Sequence, residues 1–280
     1  MKRSYGSDTY WITRYERETG EDETDEWLFS WSNLKPLLRL PKSAALVDLG
    51  CGTSALCLDA VGDACDIRAV GVDIAPAAIG FQRAEQKIRA KERGSRYSHA
   101  EFICKDLCQQ RAWEAADHAS FDACIDKATT DGLLCDTKRG AARVRAMYRA
   151  IAPALRPEAL VVVLSWRSPQ IDGVEWCIDC VLGGLREGSA SRDNGASGEA
   201  DDGDALTNSA WTLDVHSVVR EEEEEGEAAD GDAQGPHVYL LRRRSRRRSR
   251  RKHAAAQRAG GDDSLEEELE MRHHLHVMSS

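Results

Sequence analysis

The residues best suited to chemistry lie in one short stretch, 46–55, with the sequence LVDLGCGTSA. An apolar run that leads directly into Gly50-x-Gly52 predicts a buried parallel strand turning sharply into a helix, because glycine lets the backbone pass close to a bound ligand. Ala55 replaces the third glycine of the dinucleotide fingerprint, which normally packs beside a pyrophosphate. Asp48 would repel phosphates and suits a cationic ligand. The stretch favours S-adenosylmethionine, and a glycine turn in another doubly wound protein is the alternative.

Further acids follow the next predicted strands. Asp73 ends the run RAVGVDI about twenty residues after the glycine turn, where a carboxylate in doubly wound nucleotide-binding folds binds both ribose hydroxyls. Asp106 follows EFICK and is expected to accept a hydrogen bond from an adenine amino group. Both acids could instead cap helices. Asp126 and Lys127 end the strand FDACIDKA at the edge where open parallel sheets bind ligands, and a surface salt bridge is the alternative for Lys127.

Aromatic side chains crowd the charged stretch of residues 10–31, within a lead-in that covers residues 1–42. Such rings are expected to fold back onto the chain. They form either an apolar lid on the end of the sheet or a wall of the ligand site, where they would stabilise a sulfonium cation through cation–π attraction. These aromatic residues are Tyr10, Trp11, Tyr15, Trp27, Phe29 and Trp31.

Alternating strands and helices must position these residues. Short apolar runs between residues 44 and 166 predict five strands, with helical patterns between them. Beyond them, WTLDVHSVV and HVYLL predict two strands on either side of an acidic run, which indicates an antiparallel hairpin. The predicted fold class is α/β: a doubly wound, mostly parallel, Rossmann-like sheet of seven strands with a C-terminal antiparallel hairpin.

Composition predicts one domain of residues 43–241 between the N-terminal lid and a low-complexity tail of residues 242–280. Gly/Ser/Asp-rich and Glu-rich runs near 188–208 and 221–235 cannot bury apolar surface and are expected to be disordered insertions. The tail carries eleven basic and six acidic residues, a net charge of +5. Since the net charge of the whole chain is −10, residues 1–241 carry −15. The arginine run at 242–252 suits nuclear import, weak RNA or ribosome attachment, or contact with the chain's own glutamates.

Nine cysteines lie mostly within predicted strands and helices, which is typical of reduced intracellular proteins. Cys177 and Cys180 form a lone CxxC, and two cysteines on one helix are favoured over a redox or zinc site. No metal site is expected, since the histidines at 273, 274 and 276 are expected to be solvated. No run reaches membrane-spanning length and no signal peptide is evident, so a soluble cytoplasmic monomer is expected, with the nucleus left open.

Six motifs occur in order along the chain: YWITRYE, DEWLFSWSNLKPLL, LGCGTS, GVDIAPAAI, FICKD and DKATTDGLLC. Together they resemble class I, seven-stranded S-adenosylmethionine-dependent methyltransferases. More narrowly, they resemble the branch that contains the eukaryotic elongation-factor and citrate-synthase lysine methyltransferases. The resemblance covers about Tyr10 to Leu241 without the two acidic insertions. One departure is Ala128, which stands where the family usually has glycine and would narrow or redirect the entrance for the methyl acceptor.

The resemblance implies an S-adenosylmethionine-dependent enzyme that methylates a lysine of a protein, such as a translation factor. Asp126 and Asp131 are expected to steer the lysine ammonium group. The alternatives are a small-molecule methyltransferase, a nicotinamide oxidoreductase, and a non-catalytic module held on RNA or ribosomes by residues 242–252. The cofactor-binding residues that the resemblance implies are Trp11, Tyr15, Trp27, Gly50, Gly52, Asp73, Ile74, Asp106, Leu107 and Lys127.

Overall fold

The computed structural model describes residues 4–18, 26–64, 66–109, 113, 120–193, 211–220, 236–243 and 270–278. The predicted insertion at 221–235 lies outside these ranges. So do most residues of the predicted insertion at 188–208 and of the arginine run at 242–252. The strands are β1 (Ala45–Leu49), β2 (Arg68–Asp73), β3 (Ala100–Cys104), β4 (Phe121–Lys127), β5 (Leu155–Ser165), β6 (Trp211–Arg220), β7 (His237–Arg243) and β8 (Glu270–Met278). The helices are α1 (Asp8–Glu18), α2 (Trp31–Leu38), α3 (Leu56–Asp63), α4 (Pro76–Arg93), α5 (Thr129–Leu134), α6 (Gly140–Ile151) and α7 (Gly183–Asp193).

The described strands form one sheet in the order β3-β2-β1-β4-β5-β7-β6-β8. The first five strands are parallel, and β7 runs antiparallel to both β5 and β6. The order reverses between β1 and β4, and such a switch point is where open α/β sheets bind ligands at the carboxyl ends of their strands. The predicted fold class is therefore confirmed, including the antiparallel hairpin.

Both faces of the sheet are buried. In β1, Val47 and Leu49 belong to the apolar cluster that includes residues of α6, whereas Leu46 belongs to the cluster that includes residues of α2 and α3. All five residues of β1 are buried. This explains why apolar residues fill four of its five positions rather than alternate ones, since a parallel strand covered on both faces has no solvent side.

Three elements differ from or extend the sequence predictions. β8 adds an eighth strand, parallel to β6, inside the predicted low-complexity tail. α7 continues to Asp193, so helix occupies the start of the predicted insertion near 188–208. Cys177 and Cys180 lie on one π-helical segment, Cys177–Leu182, as predicted. Among the described residues, no helix combines the length and apolar composition that crossing a bilayer requires.

Candidate active site

A cavity, partly open to solvent, lies at the carboxyl ends of β1 to β4 beneath α1. Its position coincides with the switch point of the sheet, where open α/β sheets bind ligands. The predicted site residues that line it are Trp11, Tyr15, Trp27, Gly50, Asp73, Ile74, Asp106, Leu107 and Lys127. The other four predicted residues, Asp48, Gly52, Asp126 and Asp131, lie outside the lining.

The glycine turn follows β1 directly. Gly50 and Gly52 have φ angles of 73° and 50°, in the left-handed region that favours glycine. A Cβ atom on Gly50 would lie 2.0 Å from Oγ1 of Thr129, and one on Gly52 would lie 2.3 Å from the hydroxyl oxygen of Tyr15. Backbone conformation and packing against α5 and α1 therefore explain both glycines. The expectation that they make room for the ligand itself is not what the geometry shows.

Asp73 joins the ends of β1 and β2. One carboxylate oxygen accepts a hydrogen bond from the Gly52 N–H at 2.9 Å, and the other accepts one from the Ala75 N–H at 2.8 Å, just before α4. Burial raises the pKa of Asp73, and these backbone hydrogen bonds oppose that rise. The alternative of a helix cap thus applies, and the predicted ligand role stays a prediction.

Aromatic rings from the N-terminal segment form one side of the cavity. Trp11 stacks on Tyr15 with ring centroids 6.2 Å apart, and Trp27 meets Trp11 edge-on at 5.9 Å. The Arg14 guanidinium lies 5.0 to 5.9 Å from the centroids of these three rings and does not line the cavity. A cation already contacts this ring cluster, so its electrostatics suit positive charge.

Glu26 was not predicted from the sequence, yet it connects the N-terminal segment to the sheet. Its carboxylate accepts hydrogen bonds from the Ala55 N–H at 3.0 Å and from the Ser54 hydroxyl, and it forms an ion pair with Lys127. The Lys127 ammonium also donates to the Ser54 hydroxyl at 2.7 Å. Lys127 is almost fully buried, so the simple alternative of a surface salt bridge does not apply.

Asp48 lies beneath the glycine turn and does not line the cavity. It is fully buried, and among the described residues neither of its oxygens has a hydrogen-bond partner. Burial raises its pKa to about 7, and the nearby positive charge of Lys127 opposes this rise. Its predicted role as a direct ligand contact is therefore not what the geometry shows, and it acts on the site through charge.

The opposite side of the cavity is more apolar. Ile74, Leu107 and Met147 line it near Asp106, whose carboxylate accepts a hydrogen bond from the Cys108 N–H at 2.9 Å. This bond closes the turn after β3, so Asp106 has a structural role and remains at the cavity wall, as predicted for a residue beside the base.

Arg143 lines the cavity, and the sequence did not indicate it. It extends from α6, donates to the Gly6 carbonyl at 3.0 Å and forms an ion pair with Asp8. It thereby holds the start of α1 over the apolar side of the cavity. An arginine on an amphipathic helix gives no sequence signal for this role, whereas a buried lysine at a strand end does indicate that a carboxylate such as Glu26 must lie nearby.

The structure places Asp126 and Asp131 outside the lining of the cavity. The Asp126 carboxylate is fully buried and accepts hydrogen bonds from Thr130, at 3.1 Å from its N–H and 2.5 Å from its hydroxyl, and from the Tyr148 hydroxyl at 2.7 Å. Asp131 accepts from the Ser165 hydroxyl at 2.6 Å and from the Trp166 N–H at 2.8 Å. Both carboxylates are thus engaged by neighbouring donors outside the cavity lining, and their steering of an acceptor amine stays a prediction.

No protein-family model matches the chain, and no curated protein matches it. Solved structures that are similar include a predicted O-methyltransferase from Agrobacterium tumefaciens, with a TM-score of 0.48, 9% identity, and 90% of this chain and 86% of that chain covered. A precorrin-6y C5,15-methyltransferase from Geobacter metallireducens has a TM-score of 0.47 and 12% identity, with 81% of this chain and 95% of that chain covered. A SAM-dependent methyltransferase from Methanosarcina mazei has a TM-score of 0.45 and 12% identity, with 75% of this chain and 97% of that chain covered. Since these TM-scores are below 0.5, the fold assignment depends on the strand order and register of this chain.

Proposed function

We propose that this chain is an enzyme that binds S-adenosylmethionine at the carboxyl ends of β1 to β4 and transfers its methyl group. The observation that carries the proposal is the placement of Asp73. It ends β2 beside the switch point, lines the cavity, and carries a carboxylate, which can accept hydrogen bonds from ribose hydroxyls in addition to those from the backbone. The absence of the third glycine and the acids near the turn disfavour a pyrophosphate.

The residues present suit this donor. Asp73 would hold the ribose, and the apolar side chains of Ile74 and Leu107 beside Asp106 would hold the adenine. The Trp11, Tyr15 and Trp27 rings would face the sulfonium. When bound, the donor supplies a methyl group that is already activated for displacement, so the protein chiefly has to orient the acceptor and exclude water.

We further propose that the acceptor is a lysine side chain of a protein. Support comes from the six motifs and their order along the chain. Since Asp126 and Asp131 are engaged away from the cavity, the acceptor amine is proposed to lose its proton on entry rather than to a strong base in the site. The side of the cavity next to α5 is lined by small residues, namely Ala128, Thr129 and Gly132.

The test is incubation of the full chain with methyl-labelled S-adenosylmethionine and a proteome extract, followed by separation of proteins from metabolites. We expect label on protein lysines, located by mass spectrometry, and loss of that label with Asp73→Asn. Asp59→Asn is the matched control, because Asp59 is a partly exposed acid on α3 that pairs with Arg89 outside the cavity.

Other outcomes separate the alternatives. Label found only among metabolites would replace the protein acceptor with a small molecule and leave the donor site unchanged. Absence of label from both fractions, combined with binding of a reduced nicotinamide dinucleotide, would overturn the methyltransferase proposal as a whole.

A further inference from the structure

The loop after β5 presents large apolar side chains to solvent at the same edge of the sheet as the cavity. Trp166 is 56% exposed and Ile171 is 68% exposed. Among the described residues, one other large hydrophobic side chain is more than half exposed: Ile88, at 51%, on the long helix α4. We refer to residues 165–173 as the β5 loop.

The β5 loop lies beside the cavity wall. β4 and β5 pair in parallel with Lys127 opposite Leu164, and the Ala128 N–H donates to the Leu164 carbonyl at 2.9 Å. Lys127 and Ala128 both line the cavity. Trp166 follows Leu164 by two residues, a distance of about 7 Å along an extended chain. The backbone of Trp166 therefore lies at the same edge of the sheet as this part of the cavity wall, although Trp166 itself does not line the cavity.

Hydrogen bonds hold the β5 loop in one arrangement. Asp131 accepts from the Trp166 N–H at 2.8 Å, and the Tyr239 hydroxyl donates to the Arg167 carbonyl at 2.7 Å. Ser168 and Asp172 exchange two further bonds, one from each backbone N–H, both at 2.8 Å. These bonds fix the backbone that carries the exposed indole and isoleucine, and a preorganised surface loses less conformational entropy when it binds a partner.

The charge of this edge indicates the chemistry of the partner. β6 ends at Arg220, and β7 begins at His237, which pairs with Ser165 at the end of β5. The sequence between these two strands, residues 221–235, contains eight acidic and no basic residues. Negative charge in a segment that joins these strand ends attracts a basic polypeptide and repels nucleic acid. An exposed indole also binds lysine and arginine side chains through cation–π attraction.

We propose that Trp166 and Ile171 form the docking surface for a basic segment of the acceptor polypeptide, next to the lysine that receives the methyl group. Asp131 acts as a positioning residue for this surface, because it fixes the backbone of Trp166. The proposal rests on the proposed function and adds the class of partner and the residues that select it.

The test compares the full chain with a Trp166→Ala, Ile171→Ser variant. Initial rates of label transfer are measured at increasing concentrations of the proteome extract. Loss of an aromatic anchor is expected to raise the apparent KM for protein acceptor about tenfold, while kcat and the calorimetric affinity for S-adenosylmethionine stay unchanged. Ile88→Ser is the matched control and should leave all three values unchanged. Trp166→Phe keeps a ring face and should recover most of the loss.

A competition experiment addresses the charge. Oligo-lysine should inhibit transfer by the wild-type chain and inhibit the double variant less, whereas oligo-glutamate should inhibit neither. An equal KM for the double variant and wild type, or an equal rise with Ile88→Ser, would overturn the docking surface and leave the proposed function standing. A wild-type dimer that the double variant dissociates in light scattering would also overturn it, since the occupant would be a second copy. Absence of protein label with the wild type would instead refute the protein acceptor on which this proposal rests.

Discussion

The two halves of the carboxyl edge contain similar acids with different partners. Asp48 and Asp73 lie at the ends of β1 and β2, whereas Asp126 and Asp131 lie at the end of β4 and in α5. Burial raises the pKa of all four. Asp73 accepts hydrogen bonds from backbone N–H groups at the cavity. Asp126 and Asp131 instead accept hydrogen bonds from side-chain hydroxyls, those of Thr130, Tyr148 and Ser165. A strand-end acid therefore marks a ligand site only when its remaining lone pairs face the cavity.

The largest difference between the halves should be the pH dependence caused by Asp48. Its pKa is about 7 in the folded chain, above the ordinary 3.8. The folded state therefore binds this proton more tightly than the unfolded chain, so stability falls as the pH rises between these values. Asp48→Asn removes this titration. As the pH rises across this range, the unfolding free energy of the variant minus that of the wild type should increase by on the order of 4 kcal/mol. Denaturant unfolding at both ends of the range measures it; a constant difference would contradict the buried charge.

Asp126→Ala should have the next largest effect, on stability alone. It leaves the Thr130 N–H, the Thr130 hydroxyl and the Tyr148 hydroxyl without their acceptor, at a cost of about 3 kcal/mol in the free energy of unfolding. Tyr148→Phe removes one of these bonds and should cost a fraction of that. Donor affinity of the folded variant should be unchanged. Weaker donor binding would return Asp126 to the ligand site.

Asp73→Asn should weaken S-adenosylmethionine binding about 100-fold, because an amide NH₂ group would face a backbone N–H and offer one acceptor fewer to the ribose. Calorimetric titration measures the affinity. The control variant Asp59→Asn should bind as wild type does. Unchanged binding by Asp73→Asn would remove the distinction between the two halves.

Glu26→Gln should have the smallest effect, weakening donor binding about tenfold. The amide still accepts from the Ala55 N–H but loses the ion pair with Lys127, so the segment that carries Trp27 is held less firmly over the cavity. Glu16→Gln, at an exposed position on α1, is the control. If Glu26→Gln bound the donor as tightly as wild type, the N-terminal segment would not contribute to the site.

The sequence predicts what is local. Apolar runs identify the strands, and the Gly50–Gly52 turn with Asp73 locates the switch point, because burial on both faces and a positive φ leave a direct signature. Contacts between distant residues leave none. Lys127 meets Glu26 across 101 residues, and Asp131 meets Ser165 across 34. The contacts of Glu26 and Asp131 depend on which distant element packs against them, and no local pattern in the sequence reveals that element.

β8 shows a second limit. Its sequence, EMRHHLHVM, places apolar residues at every other position over much of its length, but charged low-complexity residues surround it. Alternation of this kind predicts a strand only when a neighbouring edge is known to be free, and β6 provides that edge.

Hydrogen–deuterium exchange of the full chain, with and without S-adenosylmethionine, tests the central claim most directly. The account predicts that the donor protects residues 50–55, 73–75 and 8–18, which surround the cavity, and leaves β7 and the π-helical segment Cys177–Leu182 unchanged. Protection confined to other regions, or none at saturating donor, would contradict a methyl-donor site at the junction of β1 and β4.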